Sequence, residues 1–248
     1  MKKLLSGLIL TLSVIGLVSN GYTASDKEVD QELIYQTSRL DALSAGRYDG
    51  KVTLREVKKH GNFGLGAFDK LDGEMILLDG TFYQIKGDGS IIVSSESAKT
   101  PFATVTFFEA DKKASTDQGF NFQQLNAFLD SLLLNKQAFY AIKIDGTFKS
   151  VKTRSIPAQK KPYRPLADVG QDQKIFDLRD VKGTLVGFWA PESASGVNFP
   201  GYHFHFITED KKSGGHVLEL QSSSISVTLD ETMQNNLTQP KGGSPKGH

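Results

Sequence analysis

Apolar runs too short to be helices, closed by Asp-Gly and similar turns, recur along this chain and constrain its fold more than any other feature. In GEMILLDGTFYQIKGDGSIIV they read as consecutive strands turning at Asp79-Gly80 and at Gly87-Asp88-Gly89, since these residues tolerate the positive φ of tight hairpins. PFATVTFFE is a further strand, opened by Pro101, where a missing N–H costs little. In AFYAIKIDGTFKSVKTRSI the pair Asp145-Gly146 predicts another two-residue hairpin. GTLVGFWAP reads as a strand, and DQELIYQTSRLDALSAGRYDG as a short strand or helix followed by a turn.

Two segments change period. TLREVKKHG predicts a helix with Thr53 and Glu56 as a capping box and Gly61 closing its C-terminal end. In NFQQLNAFLDSLLLN, residues Phe122, Leu125, Phe128, Leu129, Leu132 and Leu133 make one helical stripe facing a core. The expected fold class is therefore α+β: mixed β-sheets with a few helices, in two closely associated β-rich halves. PAQKKPYRPLADVGQDQ, extended and proline-marked, is the crossing between an N-terminal half at 26–160 and a C-terminal half at 161–230. QNNLTQPKGGSPKGH has too little apolar content to order itself alone, so 231–248 is expected to be a flexible tail.

Residues 1–25 stand outside that fold. Lys2 and Lys3 precede an apolar stretch from Leu4 to Val18 and then a small, polar segment, the pattern of a secretory signal peptide. The apolar stretch is short for a span of roughly 20 residues, so export without stable membrane insertion after processing is the expectation. Cleavage after Gly21, Ala24 or Ser25 stays open. The chain has no cysteine, which excludes a disulfide framework and leaves the exported fold to its core, a metal or oligomerisation. Lys plus Arg number 29 against 28 Asp plus Glu, a balance that favours neither nucleic acid nor an anionic membrane as partner.

Three of the five histidines fall in GYHFHFITEDKKSGGHVLEL. As a strand, HFHF points His203 and His205 to one face and Tyr202, Phe204 and Phe206 to the other. A hairpin centred near Asp210 and Lys211 sets His216 opposite His205. Three imidazoles on one face are a ligand set for zinc or a similar divalent ion; surface or core histidines are the alternative. His60 sits at a helix end, where a charged or capping role is natural, and His248 ends the tail.

LDGEMILLDGTFYQI, TPFATVTFF, FYAIKIDGTFKSVKTRSIPAQKKPY, KGTLVGFWAP and PGYHFHFITEDKKSGGHVLEL, in this order from about Tyr35 to about Leu220, together resemble alpha-acetolactate decarboxylase. The resemblance implies that His203, His205 and His216 hold Zn2+ (other divalent metals being possible), that Glu74 is a catalytic acid–base, and that Arg154 lies in the substrate site. It also implies a homodimer. Without it, Glu74 is a carboxylate beside a turn and Arg154 a cation in a basic strand. The family has a further glutamate near its C-terminus that reaches the site; here the glutamates after His216 are Glu219 and Glu231. Glu219 should face away from the metal, and Glu231 could approach only if the tail folds back.

The implied reaction is decarboxylation of 2-acetolactate to acetoin and carbon dioxide. The metal acts as Lewis acid on an enediolate, Arg154 orients the carboxylate or developing oxyanion, and Glu74 delivers the proton. Two other readings fit a His-x-His pair on strands. One is a different three-histidine metal lyase or hydrolase of cupin-like or carbonic-anhydrase-like kind; the other is an exported metal-binding protein without catalysis.

Overall fold

The short apolar runs become strands, and the protein is α+β with mixed sheets. The computed structural model describes residues 33–232 and 234–237; the expected signal peptide at 1–25 and His248 lie outside them. The chain first builds β1 (Leu33–Gln36), α1 (Leu40–Ser44), β2 (Val52–Thr53), α2 (Leu54–Lys58), β3 (Phe63–Ala67), β4 (Glu74–Leu78), β5 (Thr81–Ile85) and β6 (Ile91–Val93). Next come β7 (Lys99–Thr100), β8 (Phe102–Thr106), β9 (Lys112–Thr116), α3 (Phe122–Asp130) and β10 (Phe139–Ser155). The rest is α4 (Leu166–Val169), β11 (Lys174–Ala190), β12 (Gly201–Thr208), β13 (Gly214–Thr232) and β14 (Gln234–Leu237). Among the described residues, no helix is long and apolar enough to cross a membrane.

A seven-stranded sheet has the order β14-β1-β8-β3-β4-β5-β6, and a five-stranded sheet the order β10-β11-β12-β13-β9. In the latter, β13 also pairs with β10, so the ladders β10–β11, β11–β12, β12–β13 and β13–β10 return to the starting strand. Residues two apart share a face of a strand, and this decides what each sheet buries. Ile76 and Leu78 of β4 point between the sheets, where Ile34, Phe63 and Ile85 meet Val186, Phe188 and Ile207. Met75 and Leu77 point the other way, under Leu54 and Val57 of α2. By the same alternation Glu74 belongs to the face between the sheets. Helix α3 lays Leu125 and Leu129 on Ile142, Phe148, Phe204 and Phe206 of the second sheet; full burial of each such side chain contributes about 1.5–3 kcal/mol.

Local signals hold in part. Asp79 (φ 50) and Gly80 (φ 75) form the expected β4–β5 turn. Asn121 and Gln124 make a reciprocal capping box at α3. At α2 only half of the expected box is present: the Glu56 N–H donates to Thr53 Oγ1, while the Glu56 carboxylate turns to Lys59. Gly61 does not cap α2, which ends at Lys58; it lies flat against Thr106, whose carbonyl oxygen would be 2.6 Å from an added Cβ.

The expected hairpin at Asp145-Gly146 is absent. Strand β10 runs straight through it, with Gly146 between Gly183 of β11 and Ile225 of β13. Glycine serves close approach there, since a Cβ would stand 2.5 Å from the Ser224 carbonyl oxygen. The proline-marked segment joins β10 to β11, antiparallel neighbours in one sheet. Strand β13 continues through Glu231 and Thr232, and residues 234–237 pair in parallel with β1. That part of the expected tail is therefore strand, ordered by backbone pairing rather than by apolar content.

Candidate metal centre

The polar loop after β12 is closed by one hydroxyl. Thr208 Oγ1 accepts from the N–H groups of Lys212 and Ser213 and donates to Asp210. This fixes the hairpin register, pairing Ile207 with Gly214, Phe206 with Gly215 and His205 with His216. His203 shares the face of His205, and the ligand nitrogens of His203, His205 and His216 all lie within 4.8 Å of one another. His203 Nε2 and His216 Nδ1 are 3.1 Å apart. On its other side His216 pairs with Arg154 of β10. The expected convergence of three imidazoles is present.

A backbone group from the other sheet orients the central ring. His205 Nδ1 lies 2.8 Å from the Met75 carbonyl, which can only accept, so Nδ1 carries the proton and the Nε2 lone pair is free. Burial, the largest cause in each case, holds all three imidazoles below the ordinary histidine range, with the Arg154 charge acting in the same direction. His205 is brought down to about 3. Neutral imidazole is the form that ligates metal.

Glu74 enters from β4 through a turn of uncommon backbone. Lys70 (φ 61), Leu71 (φ 59) and Gly73 (φ 85) are left-handed, and a Cβ on Gly73 would stand 2.2 Å from the Ile85 carbonyl oxygen. Neighbours hold the turn: the Lys70 N–H donates to Tyr48, Gln159 donates to Lys70, and Gly73 donates to Ile156. Glu74, 7 % exposed, accepts from Arg154 Nη1 at 3.0 Å through Oε1. Its Oε2 is 3.5 Å from His205 Nε2. Burial raises the Glu74 carboxyl above its usual range, and the Arg154 charge opposes this only in part.

All five sequence-predicted site residues thus line one pocket of about 40 Å³, with apolar Leu43, Leu71, Phe102, Ile156, Leu166 and Phe199 across from them. The apolar side was not anticipated, although Phe199 precedes the histidine strand directly in NFPGYHFHF. Simple alternation would turn Glu219 away, but a bulge in β13 sets it opposite Lys152, on the face of Arg154 and His216; it is held there by an ion pair with Lys152 at 2.9 Å and does not line the pocket. Glu231 lies at the opposite end of β13 from His216, its N–H on Asp111, and does not enter the site. His60 is elsewhere, stacked on Tyr35 with ring centroids 3.9 Å apart.

The donor set fits a metal of the zinc class. Three neutral nitrogens converge without a histidine having to leave its strand, and one ring is already fixed in the ligating tautomer.

A family profile described as alpha-acetolactate decarboxylase matches residues 34–244. An alpha-acetolactate decarboxylase of Methanosarcina mazei is 50% identical over 201 residues, covering 81% of this chain and 70% of that protein. One from Bacillus subtilis strain 168 is 40% identical over 228 residues, 92% of this chain and 88% of its own. The X-ray structure of alpha-acetolactate decarboxylase from Bacillus subtilis strain 168 superposes with a TM-score of 0.83 at 40% identity, covering 85% of this chain and 90% of that one.

Proposed function

The chain belongs to the alpha-acetolactate decarboxylase family and is a carboxy-lyase, and from that premise we propose that it releases carbon dioxide from 2-acetolactate at the histidine cluster with a divalent metal, zinc foremost. The observation that carries this reading is the meeting of three neutral imidazoles with a buried Glu74–Arg154 pair in one pocket.

Breaking the bond between the carboxylate carbon and the hydroxyl-bearing carbon leaves an electron pair on the latter, conjugated with the adjacent ketone. Addition of one proton there gives acetoin and balances the reaction. A divalent ion held by His203, His205 and His216 would supply Lewis-acid stabilisation of the oxygen charge that develops.

The protein's own groups divide the remaining work. Arg154 has five N–H donors, of which the bond to Glu74 engages one, so its fork can orient the substrate carboxylate. Burial disfavours the charged form of Glu74, and we assign it the proton that passes to the substrate carbon. The apolar side excludes water and strengthens these interactions. Export through the leader at 1–25 and a homodimeric state belong to the same reading, supported by the leader's charge and hydropathy pattern and by the family resemblance.

The test is direct. Purified protein incubated with racemic 2-acetolactate should form acetoin, and a chelator should abolish it until zinc is restored. Acetoin formation that ignores exhaustive chelation would overturn the metal role, and none with metal present would overturn the reaction.

A further inference from the structure

The loop at 191–200, between β11 and β12, reaches the site through contacts the reaction does not use. Resting on the decarboxylase reading above, we propose that Phe199 determines which alkyl groups the substrate can carry, and that the buried amides of Gln36 and Asn198 are positioning residues that hold it there.

Phe199 meets His203 edge-on, with ring centroids 4.5 Å apart, and stands perpendicular to Phe102 at 6.1 Å. It therefore joins the apolar side of the pocket to the ligand set. 2-Acetolactate carries two methyl groups on a compact core of oxygens. With those oxygens turned to Arg154, Glu74 and the histidines, the methyls must face the apolar side. Phe199, set between His203 and Phe102 on that side, is the wall an added methylene would meet.

Polar groups of the other sheet fix the loop. Asn198 Nδ2 donates to Gln36 Oε1 at 2.8 Å and to Thr104 Oγ1 at 3.3 Å. Asn198 Oδ1 accepts the Phe199 N–H at 2.7 Å, and Gln36 Nε2 donates to the Val197 carbonyl at 2.7 Å. Gln36, Thr104 and Asn198 are 0 %, 1 % and 3 % exposed. Amides bonded at both ends in a dry interior accept one arrangement and no other. The first N–H groups of α1 add to the grip, Leu40 donating to Val197 and Asp41 to Gly196.

The experiment compares kcat/KM for 2-acetolactate with that for its homologue bearing ethyl in place of one methyl, alongside metal content and melting temperature. Phe199→Ala should raise the ethyl-to-methyl ratio about tenfold, the discrimination one methylene commonly carries, with metal content unchanged. Asn198→Ala should move the ratio the same way, chiefly through KM, and the double variant should go no further than Phe199→Ala. Phe199→Leu, a smaller change, reads the same shift should the alanine variant fold poorly. An unmoved ratio in the Phe199 variants, or Asn198 and Phe199 effects that multiply, overturns the proposal. A wild type that turns over neither substrate sinks the decarboxylase reading and this inference together; a wild type that is active while the ratio stands still sinks this one alone.

Discussion

Glu74→Gln removes a proton and almost no volume. A glutamine carbonyl can still accept from Arg154 Nη1, which lies 3.0 Å from Glu74 Oε1. The bond keeps its character, since arginine carries the charge and the acceptor is a neutral carbonyl in the protonated acid and in the amide alike. Stability should change by no more than about 1 kcal/mol, and the melting temperature by no more than about 2–4 °C for a domain of this size. The rate should fall far more. A positioned general acid contributes about 10²–10⁴-fold, or ~2.7–5.4 kcal/mol of barrier. Acetoin formation should thus drop by at least about a hundredfold while metal content stays unchanged, since the three imidazoles are untouched. The pH profile adds a second readout. Because the Glu74 pKa is raised, the wild-type rate should decline as pH climbs through that raised value and the donor is lost; this limb should vanish in the variant. A rate within about tenfold of wild type, too little for loss of a general acid, or the persistence of the limb, refutes the assignment.

Three further outcomes follow from the geometry. Gly187→Ala places a Cβ 2.1 Å from Phe204 Cδ1 and 2.5 Å from the His203 carbonyl oxygen; it should cost about 1–3 kcal/mol and weaken metal retention, measured by melting and by metal analysis after dialysis. Lys70→Gly relieves a left-handed, exposed lysine and should stabilise by about 0.5–1 kcal/mol, seen as a melting point raised by a few degrees. The metal-free protein should lose stability in acid. His203, His205 and His216 have lowered pKa values in the fold, so their contribution is complete above the unfolded value of about 6.5. It declines as pH falls below that, at ~1.4 kcal/mol per pH unit for each imidazole that unfolding would protonate. For His205 the decline ends near its folded value of about 3. Denaturant titrations across this range, compared with a triple His→Gln variant, measure it.

The histidine hairpin was legible because alternation and a polar loop are both local, and the register they imply pairs His205 with His216. The turn at Asp79-Gly80 was legible for the same reason. Asp145-Gly146 carries the same two letters and misled, since a glycine chosen for contact with Ser224 looks identical in sequence to one chosen for its φ. Glu74 and Arg154 stood out only through the family resemblance; the bond between them joins positions 80 residues apart. Gln36 and Asn198 gave no signal. Amides are read as surface or turn residues, and theirs are buried only because two sheets meet. Glu231 belongs to β13, and no local pattern shows that a strand entering the tail will continue.

Arg154, His216 and His205 occupy one rung across three adjacent strands whose pairings circle back on themselves. Backbone pairing alone brings these side chains together, so a nest for an ion would exist before any ion arrives. Loading and emptying would then be a matter of passage through the mouth of the pocket, and the backbone should look the same on either side of that exchange.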